Sequence, residues 1–252
     1  AYKMIKYIKF ITFCFLIFNV FLCQAEDKKL SLLLLKPLGG DIMPFWLRLS
    51  DFSQVVANDL KINLENKFNM PWKERVLAVN IKTPQDTIEF YNTYIPPGST
   101  NRWKKIETLE GLYKGLAIHS KRKRILCGDF NTPQDELLKY GVCTFAQKIN
   151  KKGVPKLRKI FRGGSGNRWD QGERNVLEGL KEFNLVDAYR QLHPIPKKAY
   201  SFVIERKGRV VAKRRFDHFF LSKEFKIKSI EYLHQFRESG LSDHSPLEVV
   251  IE

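Results

Sequence analysis

Short apolar runs separated by turn residues occupy much of the chain after residue 70, and they predict the strands of a sheet. Val76–Ile81 and Ile88–Tyr94 are two such runs, and Pro84-Gln85-Asp86 between them is a typical turn sequence. The two runs are therefore expected to be neighbouring core strands. A third run, Leu247–Ile251, is predicted as the final strand.

Two other stretches predict helices. In Trp103–Leu116 the apolar residues recur every three or four positions, which is the spacing of an amphipathic helix that covers one face of a sheet. This stripe is expected to belong to the core, and no cofactor site is expected on it. Trp169–Phe183 is also predicted as a helix.

The first 25 residues have a different pattern. Three lysines precede Phe10–Cys23, which is apolar except at two positions, and Cys23-Gln24-Ala25 follows. A basic start, an apolar run and a small-residue end are typical of a secretory signal peptide. The run is short for a membrane span, so no stable span is expected.

Composition is consistent with one folded domain and a polyanionic partner. The chain has 252 residues, 43% of them apolar, which is enough for a sizeable core. Its net charge of +17 favours nucleic acid or an acidic membrane surface as the partner. Eight Lys or Arg and no acid lie between Gln147 and Arg168, and Lys121–Arg124 is a second basic run.

The four cysteines do not indicate a disulfide scaffold or a zinc site. Cys127 falls in an apolar run and is expected to be a small core residue.

The first candidate for chemistry follows the basic run Lys121–Arg124. An apolar segment there ends in Gly128-Asp129-Phe130-Asn131, and Thr132-Pro133 comes next. If the segment is a buried strand, Asp129 and Asn131 occupy alternate positions on one face at its carboxyl end. An acid can accept a proton there, and an amide can donate to a developing negative charge. The same residues also suit an ordinary turn, and propensity leaves that alternative open.

Two downstream segments add an acid and a histidine. Arg214–Ser222 reads as a strand that carries Asp217, and Gly240–Pro246 carries Asp243 and His244 just before the final strand. An acid beside a histidine raises the pKa of the imidazole and selects its tautomer.

Together these segments resemble the endonuclease/exonuclease/phosphatase superfamily, and in particular its nuclease branch of exonuclease III and the abasic-site endonucleases. The matching pieces occur in the family's order over roughly residues 72 to 252. They are Tyr94-Ile95-Pro96, Gly128-Asp129-Phe130-Asn131, Val186-Asp187-Ala188-Tyr189-Arg190, Tyr200-Ser201-Phe202, Arg215-Phe216-Asp217 and Ser242-Asp243-His244-Ser245-Pro246.

The resemblance implies an α/β fold, the four-layer α/β sandwich in which two mostly antiparallel sheets pack face to face with helices outside. The active site would lie where strand ends of the two sheets converge. Loops around this edge hold the substrate in the family, so the basic insertion Gln147–Arg168 is expected to clamp a nucleic-acid backbone.

The resemblance also implies a Mg²⁺ or Mn²⁺ ion, held by the carboxylates of Glu26 and Asp243. Asp129 would orient or deprotonate the attacking water, and Asn131 would hold this water and the phosphate. His244 would donate to a non-bridging oxygen.

The remaining family positions have supporting roles. Asp217 would orient and charge the imidazole of His244. Tyr94 would donate to the scissile phosphate, and Phe202 would line a sugar pocket. Asp187 and Arg190 are expected to pair with each other and hold a corner of the fold.

The chain departs from the family at two places. Asn19–Lys28 resembles a degraded form of the family's second strand, and no Asn-bearing first strand precedes it. Residues 1–25 are therefore expected to be a signal peptide or a degenerate first segment, with the catalytic domain in residues 26–252. Glu26 is accordingly either the metal ligand or a solvated residue after a cleavage site. Lys213-Arg214-Arg215 stands where the repair enzymes carry Gly-Trp-Arg, which argues against abasic-site recognition.

We therefore expect a metal-dependent phosphodiester hydrolase, and specifically a monomeric DNA nuclease of endo- or exonuclease type. One alternative is a secreted phosphodiesterase of the same superfamily that acts on a phospholipid or a small phosphate ester. Another is a nucleic-acid-binding protein that has lost catalysis. The location would be extracytoplasmic if residues 1–25 are a signal peptide and intracellular otherwise.

Overall fold

The structure is a computed structural model that describes residues 68–82, 86–195 and 198–251, together with the backbone of three strands nearer the amino end. In chain order the strands are β1 (Ile8–Cys14), β2 (Asn19–Ala25), β3 (Lys28–Leu35), β4 (Val76–Lys82), β5 (Thr87–Tyr94), β6 (Arg124–Asp129), β7 (Asp135–Leu137), β8 (Gly141–Cys143), β9 (Gln147–Ile149), β10 (Pro155–Leu157), β11 (Ile160–Phe161), β12 (Gly164–Ser165), β13 (Val186–Asp187), β14 (Phe202–Arg206), β15 (Arg209–Arg214), β16 (Asp217–Leu221), β17 (Ile227–Tyr232) and β18 (Leu247–Ile251).

The helices are short apart from two. In chain order the helices are α1 (Gly98–Asn101), α2 (Trp103–Leu116), α3 (Gly166–Leu177), α4 (Ala188–Leu192) and α5 (His234–Glu238), with 3₁₀ turns at Lys73–Arg75 and Gly179–Phe183. No helix of the described ranges is long and apolar enough to cross a membrane.

Two five-stranded sheets organise the fold. The first has the order β13-β16-β6-β5-β4, and the second has the order β17-β18-β1-β2-β3. Strands β5 and β6 are parallel, and the other pairs in both sheets are antiparallel. The mostly antiparallel character that was expected is therefore confirmed.

Strand β6 is buried along its whole length and separates two hydrophobic clusters. On one face, Ile125 and Cys127 join residues of β17 and β18 in the core between the sheets. On the other face, Leu126 joins residues of α2 and α3 in a second core. Because side chains alternate along a strand, one short apolar run contributes to both cores. The α/β sandwich of two packed sheets with helices outside is confirmed.

Most predicted elements agree with the structure. The strand pair before residue 95, the helix Trp103–Leu116 and the final strand are confirmed, and Cys127 is buried as expected. The helix predicted at Trp169–Phe183 begins earlier, at Gly166, because the Ser165 hydroxyl accepts from the backbone N–H of Arg168 and caps it. It ends at Leu177, and a separate 3₁₀ turn follows.

The strand predicted over Arg214–Ser222 is divided in two. β15 ends at Arg214 and forms a two-stranded sheet with β14, whereas β16 begins at Asp217 in the first five-stranded sheet. The Ser201 hydroxyl accepts from the backbone N–H groups of Phe216 and Asp217 at the division, at 3.0 and 3.1 Å. This side chain therefore takes the place of a strand partner where the chain passes from the hairpin into the sheet.

The basic insertion forms regular structure. Strands β9 and β10 make one small antiparallel pair, and β11 and β12 make another immediately before α3.

Candidate active site

Two buried carboxylates lie side by side at the strand ends of the first five-stranded sheet. Asp129 is the last residue of β6 and Asp217 is the first residue of β16, and the antiparallel register places them directly opposite each other. Directly opposite residues in such a pair project from the same face of the sheet. Both are almost fully buried, with 2% and 1% of their surface exposed.

His244 completes this group from the loop before β18. Its Nδ1 lies 2.6 Å from Oδ2 of Asp217, and both side chains are buried. The backbone N–H of His244 donates to the Ser242 hydroxyl at 3.1 Å, which holds the loop in place. Ligand atoms of Asp129, Asp217 and His244 all lie within 4.8 Å of one another.

The Asp217–His244 pair controls the charge of the imidazole. Burial alone would lower the pKa of His244, but the Asp217 carboxylate, with help from Asp129 and Asp243, raises it to about 10. His244 is therefore an imidazolium at neutral pH. Its Nδ1–H donates to Asp217, and its Nε2–H is the second donor.

Asp129 is held by Asn131. The backbone N–H of Asn131 donates to Oδ1 of Asp129 at 2.7 Å, and its side-chain Nδ2 donates to Oδ2 at 2.8 Å. The same Nδ2 also donates to the carbonyl of Ile95 at 2.9 Å. Both amide hydrogens of Asn131 are thus used within the protein.

The contact between Asp129 and Asn131 was predicted, but the reason given for it is wrong. Strand β6 ends at Asp129, so Asn131 does not share a strand face with it. Asn131 instead has a left-handed backbone, with φ of 50°, and the turn brings its side chain back to the strand end. Asn tolerates this conformation better than most residues.

The environment of Asp129 favours its protonated form. Burial raises the pKa of Asp129 to about 7, and the charge of Asp217 acts in the same direction, whereas the positive charge of His244 opposes it. Asp129 therefore changes protonation close to neutral pH.

Gly128 is required for the approach of β5 and β6 next to the site. Its φ is +133°, and a Cβ at this position would lie 1.9 Å from the carbonyl oxygen of Thr93. Any other residue here would displace the strand that carries Asp129.

Tyr94 and Phe202 border the group. Tyr94 is the partner of Asp129 in the parallel register of β5 and β6, and its ring lies 4.6 Å from the guanidinium of Arg75. Phe202 forms an isolated bridge with His244, and the centroids of their rings are 4.7 Å apart. Their predicted roles on substrate stay predictions.

The two predicted metal ligands are not equally placed. Asp243 is exposed and adjoins His244, whose pKa it helps to raise. Glu26 lies outside the described residues.

The chemistry of the donors fits a hard divalent cation. Asp129 and Asp217 offer carboxylate oxygens within 4.8 Å of each other, whereas His244 in its protonated form is not a ligand. Two adjacent buried carboxylates, one with its pKa raised to about 7, would both be stabilised in their ionised forms by such a cation.

A buried lysine behind the site escaped the sequence analysis. Lys105 donates from Nζ to the carbonyl oxygen of Asn131 at 2.8 Å and to Oε1 of Glu173 at 2.5 Å. Glu173 also accepts from the indole N–H of Trp169 and from the backbone N–H of Phe145, both at 2.9 Å. Lys105 and Glu173 each fall on the apolar side of a predicted helix. A charged residue at such a position indicates a buried ion pair, and the sequence analysis considered only the apolar residues of these helices.

A second buried network corrects the role given to Arg190. Asp187 accepts from the backbone N–H of Arg190, and its carboxylate pairs with Arg215 at 2.6 Å. The guanidinium of Arg190 pairs instead with Glu136, at 2.5 Å, and Arg215 pairs with the same carboxylate at 2.7 Å. The corner is therefore structural, as expected, but the ion pairs that hold it involve Glu136 and Arg215.

Several solved structures are similar to this chain in overall arrangement. An AP endonuclease from Leishmania major has a TM-score of 0.47 and 19% identity, with 72% of this chain and 56% of that chain covered. TDP2 from D. rerio, complexed with a single-strand DNA product, has a TM-score of 0.45 and 10% identity, with coverage of 70% and 61%. An endonuclease/exonuclease/phosphatase family protein from Leptotrichia buccalis has a TM-score of 0.40 and 21% identity, with coverage of 70% and 53%.

The neighbours include members of the family that the motifs resemble. This chain spans between about half and three fifths of the length of those three structures. No family model matches the sequence. No curated protein matches it either.

Proposed function

We propose that this protein is a metal-dependent phosphodiester hydrolase that acts on nucleic acid, with DNA as the substrate. The observation that supports this function is the meeting of two hydrogen-bonded pairs, Asp129–Asn131 and Asp217–His244, at the ends of adjacent strands. One pair contains a base whose pKa is near neutral, and the other contains a charged donor.

The charged donor is suited to stabilise a phosphorane-like transition state. His244 keeps its proton at neutral pH because of Asp217, and its Nε2–H would donate to a non-bridging phosphate oxygen. Negative charge on this oxygen increases in the transition state, so a donor that is already in position stabilises the transition state more than the ground state. Asp217 acts by orienting the ring through Nδ1.

Asp129 is suited to accept a proton from the attacking water. A general base must be ionised to accept a proton; burial raises the pKa of Asp129 to about 7, and a bound cation would favour its ionised form. Asn131 orients this carboxylate through two hydrogen bonds. Since both of its amide hydrogens are used within the protein, only Oδ1 remains to hold the water.

Asp243 and Glu26 would hold a Mg²⁺ or Mn²⁺ ion beside Asp129 and Asp217. When bound, this ion supplies charge stabilisation on the phosphate oxygens and offsets the repulsion between the buried carboxylates.

Nucleic acid is favoured over a small ester by charge. The net charge is +17, and the arginines and lysines of the insertion Gln147–Arg168 are exposed. A small phosphate ester would not require so broad a basic surface.

The test is one assay on the purified chain with three substrates: plasmid DNA, an abasic oligonucleotide and a sphingomyelin-type ester, each with Mg²⁺ and with chelator. We expect DNA cleavage that chelator abolishes and that Asp129→Ala and His244→Ala each reduce by at least about 100-fold. Asp135→Asn, at an exposed residue of β7, is the control and should cleave normally.

Cleavage of the ester without cleavage of DNA would replace this proposal by the small-ester alternative. Salt-sensitive DNA binding without turnover of any substrate would leave a binding protein.

A further inference from the structure

Two arginines pack on an aromatic base near the candidate active site, and the charge of a third acts on one of them. Arg102, Arg158 and Arg162 are all exposed. The guanidinium carbons of Arg158 and Arg162 lie 5.1 and 5.3 Å from the centroid of the Phe161 ring, and that of Arg162 lies 5.8 Å from the Trp169 ring. Contacts of this kind hold a guanidinium against a ring face and leave N–H groups at its rim for other acceptors. One of these N–H groups in Arg162 donates to the carbonyl of Ser99 at 3.4 Å.

The aromatic base is rigid. Trp169 is fully buried and makes edge contacts with Phe161 and Trp103, at centroid distances of 4.9 and 5.4 Å. The indole N–H of Trp103 donates to the carbonyl of Arg162 at 3.2 Å. The loop that carries two of the arginines is therefore attached to α2.

Two glycines show how closely this loop packs. A Cβ at Gly164 would lie 2.2 Å from the ring of Trp103, and a Cβ at Gly166 would lie 1.7 Å from the carbonyl oxygen of Arg158. A loop packed so tightly keeps its arginines in place before a ligand arrives, which lowers the entropy lost on binding.

The charges of the cluster are not neutralised within the described part of the chain. No carboxylate there forms an ion pair with Arg102, Arg158 or Arg162, whereas Arg168 of the same insertion pairs with Glu110 at 2.7 Å. Burial lowers the pKa of Arg162, and the charges of Arg102 and Arg158 act in the same direction, whereas the charge of the buried Glu173 opposes them. A bound anion would relieve the repulsion among the three.

The cluster borders the site on the side of Asn131. Arg102 lies between α1 and α2, three residues before Lys105, which donates to the Asn131 carbonyl. The positive charge of Arg162 also contributes to lowering the pKa of Lys105, so the two groups lie near each other.

We propose that Arg102, Arg158 and Arg162 form a second phosphate-binding subsite, which holds a phosphate of a nucleic-acid chain near the phosphate that is cleaved. This inference rests on the proposed function and adds to it. A nucleic acid is favoured over a lipid surface because its phosphates are joined at regular spacing, so a second anion necessarily accompanies the first.

Binding can be measured without turnover, in the Asp129→Ala background, by fluorescence anisotropy of a labelled single-stranded oligonucleotide over a range of KCl concentrations. Each single-strand phosphate contact contributes roughly 0.7 to the slope of log K against log salt concentration. The triple variant R102Q/R158Q/R162Q is expected to lower the magnitude of this slope by about 0.7, because the subsite holds one phosphate. The control R168Q removes an arginine of the same insertion that Glu110 already neutralises, and its slope should be unchanged.

An unchanged slope in the triple variant, or an equal decrease in R168Q, overturns the proposal. Stronger binding to phosphatidylserine vesicles than to the oligonucleotide, lost in the triple variant, overturns it in favour of a membrane surface.

The active chain provides a second readout. The triple variant is expected to raise KM for the oligonucleotide by at least tenfold and to leave hydrolysis of bis(p-nitrophenyl) phosphate, which has one phosphate, unchanged. Equal losses on both substrates overturn the proposal. If the chain hydrolyses neither substrate, the proposed function fails, whereas the slope still decides whether the subsite exists.

Discussion

Lys105 is the single residue whose position has the largest consequence for the candidate site. It is fully buried, with its ammonium between Glu173 and the Asn131 carbonyl and 4.7 Å from the Phe145 ring. Burial lowers its pKa, and the adjacent Glu173 opposes this. The left-handed turn at Asn131 thus depends on a charge that comes from a helix.

We predict that Lys105→Met destabilises the protein and impairs catalysis. The variant leaves the Glu173 carboxylate buried without its cation, which costs about 3–5 kcal/mol. The double variant K105M/E173Q also removes the unpaired carboxylate, so it should be more stable than Lys105→Met. Turnover of DNA should stay low in both, because the Asn131 carbonyl has lost its donor. Urea unfolding and kcat measure the two effects separately.

Lys104→Met is the matched control, since Lys104 is half exposed and pairs with Glu107 on the helix surface. It should change stability by less than about 0.5 kcal/mol. Recovery of both stability and kcat in K105M/E173Q would contradict a positioning role for Lys105.

At the scale of elements, one ion-pair network joins several short pieces of the chain. Glu136 lies on the short strand β7, Arg190 lies on α4, and Arg215 lies just before β16. Burial alone would raise the pKa of Glu136, but Arg215 and Arg190 hold it at about 2. These ion pairs thus attach β7 and α4 to the start of β16, where Asp217 lies.

This network predicts a loss of stability in acid. The pKa of Glu136 falls from its ordinary value of 4.5 to about 2 on folding. The folded state therefore binds fewer protons than the unfolded state between these values, and stability is present above pH 4.5 and lost as pH falls toward 2. A shift of this size corresponds to roughly 3 kcal/mol.

The measurement is the urea midpoint of the native chain and of Glu136→Gln at pH 7, 4.5 and 3. The variant should be less stable at pH 7, and the difference should narrow as pH falls. If the difference in stability between the two proteins stays constant over this pH range, the arginines do not lower the pKa of Glu136.

At the scale of the whole molecule, the core between the sheets sets the distance between strand ends that meet at the site. Phe219 of β16 is fully buried in this core, together with residues of β17 and β18. Asp217 begins the same strand, and His244 precedes β18. The Asp217–His244 hydrogen bond therefore spans the two sheets.

We predict that Phe219→Ala costs about 3–5 kcal/mol in urea unfolding, because it leaves a cavity between the sheets. Val210→Ala, on the exposed hairpin strand β15, is the control and should cost less than about 0.5 kcal/mol. A cost below about 1 kcal/mol for the Phe219 variant would indicate that the sheets do not pack through this side chain.

Local features of the sequence predicted much of the fold. Helix Trp103–Leu116, the β4–β5 pair and the final strand follow from the period of apolar residues and from turn residues, which act over a few positions. The motif Gly128-Asp129-Phe130-Asn131 predicted an acid and an amide together, although the structure places Asn131 on a turn. These features depend on neighbours in sequence.

The order of motifs along the chain also predicted the α/β sandwich and the grouping of Asp129, Asn131, Asp217 and His244. The pairing of β6 with β16 places Asp217 opposite Asp129. It could not be predicted from a local sequence pattern, because strand register depends on packing between distant segments. The same is true of Lys105 with Glu173, and of Arg102 with Arg158 and Arg162. The sequence by itself determined which chemical groups are available, and the tertiary structure decided which of them meet, since burial and charge act through space.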